Sequence, residues 1–185
     1  MSRGHGTTGI SAHQIRKMTY SALYLAIAIV LPFLTGQIPE IGSILSPMHI
    51  PVLLCGFVCG WPWGVAVGFI APLLRSVLFG MPPMLTAVAM TFELGTYGLL
   101  SGLLYKVLPK KTWSVYAALI SAMIAGRVVW GLARWLIAGL QNTNFTSALF
   151  IAGAVTSAIP GIILHIVLIP IMVIALDRTN LVLNN

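Results

Sequence analysis

Long runs free of Asp, Glu, Lys and Arg set the frame of this chain. Residues 18–39, 41–74 and 135–176 contain none of the four, and each is long enough for one crossing or more at about 20 residues per membrane helix. Gly, Pro and Asn break these runs at residues 36–47, 60–62, 80–83, 109 and 141–144. The pattern predicts six apolar helices, over residues 19–35, 48–59, 63–79, 85–105, 113–140 and 147–176. The second is short for a full crossing and carries Pro47 and Pro51 near its start. It must therefore cross partly as loop, which lipid permits only where backbone is shielded by protein or lines a cavity.

Composition narrows the class. The chain is 58% hydrophobic and 7% charged, with mean hydropathy +0.99, against about 25% charged residues in a soluble domain. One integral membrane domain over residues 1–185 is expected, with residues 1–17 as a basic segment before the first span. The N-terminal apolar run is long and lacks a small-residue cleavage site followed by polar sequence, so a removable signal peptide fits poorly. The net charge of +7 does not point to nucleic acid, because the basic residues form no patch. Arg3, Arg16 and Lys17 precede the first span, Lys106, Lys110 and Lys111 fill one connection, and Arg178 follows the last span. That is the distribution of cytoplasmic loops. An even number of crossings between Lys17 and the Lys106 connection then gives six transmembrane helices, N-in and C-in, all-α, with a short second helix.

Several chemistries are absent. There is no G-x-x-x-x-G-K-[ST] loop for ATP, no H-E-x-x-H helix and no G-x-S-x-G elbow, so neither an ATPase nor a hydrolase is expected. Cys55 and Cys59, four apart, read as buried apolar filler, since two thiols without a nearby His or acid make no zinc site. No metal and no cofactor is expected.

Three ionisable groups interrupt the apolar helices: Arg75, Glu93 and Arg127. An arginine at such depth costs at least about 2.5 kcal/mol and is usually aimed at a polar interior. Counted along their helices, Arg75 and Arg127 lie about 18 and 21 Å from the cytoplasmic starts, and Glu93 about 12 Å from the outer start. The three are expected in one layer, where two cations face one anion. A structural ion pair would account for one arginine; the other suits a carboxylate or phosphate ligand. Trp130 and Arg134 continue the Arg127 face, Asn142 and Asn144 follow in the next loop, and Gln37, Glu40 and His49 flank the first external loop. Trp130 fits a stacking or an interfacial role, Arg134 a snorkelling one, and His49 a ligand contact or a structural donor. Trp61 and Trp63 read as interface anchors. His165, about 27 Å along the last span from residue 147, is expected near the cytoplasmic side and away from this layer.

Ala22 and Ala26 form a small-x-x-x-small pair on the first helix, a spacing that lets another helix approach closely. Together with Pro47-Met48-His49-Ile50-Pro51-Val52-Leu53-Leu54-Cys55-Gly56-Phe57, Gly68-Phe69-Ile70-Ala71-Pro72-Leu73-Leu74-Arg75, Gly80-Met81-Pro82-Pro83 and Phe92-Glu93-Leu94-Gly95-Thr96-Tyr97-Gly98, the chain resembles the S components of energy-coupling-factor (ECF) vitamin transporters. The resemblance covers nearly the whole chain and is nearest the group containing pantothenate carriers. It implies a vitamin receptor of the bacterial cytoplasmic membrane that docks, through Ala22 and Ala26, on a scaffold protein with two cytoplasmic ATPases. It also implies a binding site near the outer surface. Two arginines favour an acid such as pantothenate; niacin, cobalamin, folate and riboflavin are the alternatives. A structural or assembly protein, and a carrier that works without ATP through Glu93, are the rival readings from other classes.

Overall fold

A computed structural model describes residues 11–35, 45–141 and 159–184. Those residues form six α-helices: α1 (Ala12–Val30), α2 (His49–Cys59), α3 (Trp61–Phe79), α4 (Met84–Val107), α5 (Thr112–Leu140) and α6 (Ile159–Arg178). A 3-10 turn, Leu31–Thr35, continues α1. Five helices are long and apolar enough to cross a membrane, and α2 is the shorter sixth.

Local chemistry sets the boundaries. Ser11 and Gln14 make a reciprocal capping box, so α1 begins seven residues before the expected position and carries Arg16 and Lys17 within it. A single residue separates α2 from α3: Gly60, at φ 98°, adopts a backbone conformation closed to residues with a Cβ. Pro62 then fits the first turn of α3, where no intrahelical N–H bond is lost. The expected sixth helix began at residue 147; the described part begins at Ile159, and residues 142–158 lie outside the described ones.

Successive helices alternate in direction, so the bundle has two ends. At the Gly80 end α1 passes into its 3-10 turn, α2 and α4 start, and α3 stops; at the Gly60 end α2 stops and α3 starts. Arg16, Lys17, Lys106, Lys110, Lys111 and Arg178 all belong to the Gly60 end.

Every residue of α2 is buried, and α1, α3, α4 and α6 pack around it. A helix apolar on all sides belongs in such a central place. The tightest contact is between α3 and α4, where backbone meets backbone: a Cβ on Gly64 would lie 2.7 Å from the Gly98 carbonyl oxygen. The outer surface is apolar, with Leu23, Val77, Ile124, Val128, Leu132, Ile163, Val167 and Ile171 exposed, as lipid contact requires. In contrast to α2, α1 buries only Ser21 and Ala28.

Candidate functional site

Glu93 is the centre of a polar cluster inside the apolar bundle. Its Oε1 accepts a hydrogen bond from the Tyr97 hydroxyl at 2.8 Å, one helical turn along α4. Nη1 of Arg127, reaching in from α5, lies 3.0 Å from the same oxygen, and Nε2 of His49, at the first position of α2, lies 3.4 Å away. The glutamate side chain is 1% exposed and that of Arg127 17%. Burial of this kind is tolerable only because the charges meet.

Helix geometry brings these groups together. The carbonyl of Ser46 accepts the His49 N–H at 3.0 Å and starts α2 so that the imidazole faces α4. Gly126, beside Arg127, leaves room for the Tyr97 ring: a Cβ there would come within 3.0 Å of the Tyr97 Cζ. The His49 ring lies 5.3 Å from that of Tyr97 and stacks on that of His165 from α6, centroids 5.9 Å apart at 19°. Four elements thus contribute side chains to one locus.

Much of the cluster's bonding capacity is unused. Among the described residues, Nδ1 and Nε2 of His49, Nε of Arg127 and Nε2 of His165 are buried without a hydrogen-bond partner; the His49–Glu93 approach is close without being aligned as a bond. Buried polar groups normally find partners. A bound molecule with acceptors and donors would supply them.

Arg75 is elsewhere. Its Nη1 donates to the Ile29 carbonyl near the end of α1, and its guanidinium lies over the rings of Phe33 (4.9 Å) and Phe79 (5.6 Å). None of the ion pairs among the described residues includes it. The expected single layer of three charges is therefore corrected to two. Counting residues fixes height along a helix but leaves direction open, and Arg75 faces α1 while Glu93 and Arg127 face each other and α2. The expected surplus of one cation at Glu93 goes with it: the glutamate and Arg127 balance.

His165 is corrected in the other direction. It stacks on His49, so it belongs to the polar cluster and not to the cytoplasmic side, where a count from residue 147 put it. Tyr97 was also missed, although an i+4 phenol is a natural donor to a helical carboxylate. Trp130 is half-buried one turn beyond Arg127, and Asn144, with Gln37, Glu40 and Asn142, lies outside the described residues. Ala22 and Ala26 are both exposed, on the side of α1 away from Ser21 and Ala28. No group of three metal-ligating side chains is present among the described residues.

No curated protein and no solved structure matches the chain. A family profile, ECF transporter, substrate-specific component, matches residues 16–173, which reaches from α1 into α6 and takes in the whole polar cluster. The chain belongs to the family of substrate-specific components of ECF transporters.

Proposed function

We propose that this subunit binds a small vitamin carrying a carboxylate, with pantothenate the best fit, at the Glu93–Arg127–His49 cluster. The reading assigns the Gly80 end to the outer face of a bacterial cytoplasmic membrane. The basic residues gathered at the Gly60 end support that orientation, N-in and C-in, by the positive-inside rule. Transport energy then comes from ATPases on separate chains, and the exposed Ala22 and Ala26 offer the close-packing face for the membrane scaffold of that module.

The observation that carries the reading is the state of Arg127. It meets Glu93 through Nη1 and keeps Nε buried without a partner. A ligand carboxylate on the Nε side would complete the guanidinium without displacing Glu93. The unpartnered nitrogens of His49 and His165 suit the hydroxyl and amide groups that pantothenate carries at its other end. Trp130 of α5 and Asn144, which lies outside the described residues, are proposed as further contacts. Nicotinate shares the carboxylate but offers fewer partners to the two histidines.

The test compares pantothenate with pantothenol, in which an alcohol replaces the carboxylate, by titration calorimetry on the purified chain. Tighter binding of the acid, by roughly tenfold to a hundredfold, is expected, and Arg127→Ala should abolish the difference. Equal binding of acid and alcohol, or full acid affinity in Arg127→Ala, would sink the reading.

A further inference from the structure

The chain that follows α6 does not leave the bundle. Asn180, at φ 54°, turns it back, with its N–H bonded to the Asp177 carbonyl at 3.0 Å and that of Leu181 to Leu176 at 3.0 Å. Val182, Leu183 and Asn184 are then each at most 5% exposed. They lie under the end of α2.

That end needs partners. The last four carbonyls of a helix lack partners within it, and α2 stops at Cys59 inside the protein, where the Gly60 N–H donates to the Gly56 carbonyl at 3.1 Å. The Leu183 N–H donates to the Val58 carbonyl at 2.8 Å. Asn184 Nδ2 donates to the Gly102 carbonyl of α4 at 2.8 Å and to the Gly56 carbonyl of α2 at 3.4 Å. One amide therefore ties α2 to α4. Lys110, from the α4–α5 connection, closes the strap from outside: Nζ donates to the Asn184 and Tyr105 carbonyls, each at 3.2 Å, and lies 3.8 Å over the Tyr105 ring.

The rest of α2 is held without direction. Its flanks are mostly apolar, and the hydrophobic effect is non-directional, so besides close packing at Gly56 few polar contacts set its depth. Among the described residues two long bonds grip the sides, from Ser101 Oγ to the Leu53 carbonyl at 3.4 Å and from Cys55 Sγ to Ser21 Oγ at 3.6 Å. The strap lies at one end and His49, its Nε2 3.4 Å from Glu93, at the other, about 15 Å apart. A displacement at one end of so short a rod is passed to the other.

We infer that Asn184 is a positioning residue for the substrate site, acting through α2 on the depth of His49. The inference rests on the proposed role of His49 as a ligand contact. Its structural half can be read without any ligand, because Cys55 and Cys59 are the chain's two cysteines and both are buried free thiols on α2. Cys59 adjoins Gly60, which Asn184 covers: a Cβ on that glycine would lie 2.9 Å from the asparagine Oδ1.

The experiment uses the full chain in lipid nanodiscs and measures N-ethylmaleimide labelling at Cys59 by mass spectrometry, beside pantothenate affinity. Asn184→Ala should speed labelling about tenfold and weaken pantothenate about fivefold, the scale of one lost hydrogen bond. Lys110→Ala, which spares Asn184, should speed labelling by a smaller factor. Val173→Ala, a change at a buried position of α6, should move neither reading. In a His49→Ala background, Asn184→Ala should cost no further affinity, because the two act along one path. Unchanged labelling in Asn184→Ala would overturn the strap, and an equal affinity loss with or without His49 would overturn its action on the site. A wild-type chain that fails to bind pantothenate would overturn the substrate reading and the affinity half with it, while the labelling rates would still decide the strap.

Discussion

Replacing Glu93 sets the largest energetic effect expected in this protein. Its carboxylate is the only counter-charge to Arg127 among the described residues. Glu93→Leu leaves a guanidinium that is 17% exposed with no anion beside it, a loss of about 3–5 kcal/mol. Arg127→Leu is milder, since Glu93 keeps the Tyr97 hydroxyl at 2.8 Å and His49 at 3.4 Å; about 1–3 kcal/mol is expected. The double leucine variant removes both charges and fills the space with apolar volume, which in buried pairs is often close to neutral. The two single losses should therefore fail to add by at least about 2 kcal/mol. For a chain of this length about 2–4 °C accompanies each kcal/mol, so Glu93→Leu should lower Tm by roughly 6–20 °C. Tryptophan fluorescence during thermal unfolding of the detergent-solubilised variants reads these shifts. Single losses that simply sum in the double variant, or a Glu93→Leu no worse than Arg127→Leu, would refute the ion-pair reasoning. The same double variant separates stability from function. It should fold and bind no pantothenate, whereas a purely structural pair would leave binding intact.

Three further outcomes follow from other contacts. Arg75→Lys keeps the charge but loses the planar stacking on Phe33 and Phe79, a change of about 0.5–2 kcal/mol; hydrogen exchange should rise in residues 29–35 while pantothenate affinity stays within about twofold. Gly64→Ala places a methyl 2.7 Å from the Gly98 carbonyl and 2.8 Å from the Gly56 Cα, and overpacking of about 1–3 kcal/mol should appear as a lower Tm; an unchanged Tm would deny the backbone contact. Lys110 has its pKa lowered by burial, with Asp177 opposing. Between that lowered value and the ordinary value near 10.4 the unfolded chain binds the proton and the folded chain does not, so stability should rise with pH across this window and not in Lys110→Met.

The fold was legible where breakers coincide with backbone needs. Gly60 and Pro62 mark the α2–α3 turn because the one takes φ 98° and the other needs no amide hydrogen. The start of α1 was not, because Arg16 and Lys17 end the apolar run while the helix continues to its cap at Ser11. Periodicity reports burial, and an exposed helical turn at a membrane surface has no burial to report. The cluster was half legible: intramembrane Glu93 and Arg127 stand out by cost alone, whereas residue counting along the last span put His165 at the wrong end, away from the His49 ring on which it stacks. The strap left no such trace. Residues 180–184 are a short Asn-Leu-Val-Leu-Asn run, and only the unsatisfied end of α2 reveals what they do.

The separation of the two arginines also bounds how strongly the site can prefer an acid. With Glu93 on Nη1 of Arg127, a ligand carboxylate would share that one cation with another carboxylate. A shared cation contributes about one charge-assisted hydrogen bond, on the order of 1.5–3 kcal/mol, which is the basis for a preference of roughly tenfold to a hundredfold over the alcohol. Two free arginines would give more. A measured ratio above about a thousandfold would therefore require a second cation at the ligand, from Arg134, two turns along α5 from Arg127, or from Arg75 released from Phe33 and Phe79. The variants Arg134→Gln and Arg75→Lys would tell which: the ratio falls with the residue that supplies the charge and holds with the one that does not.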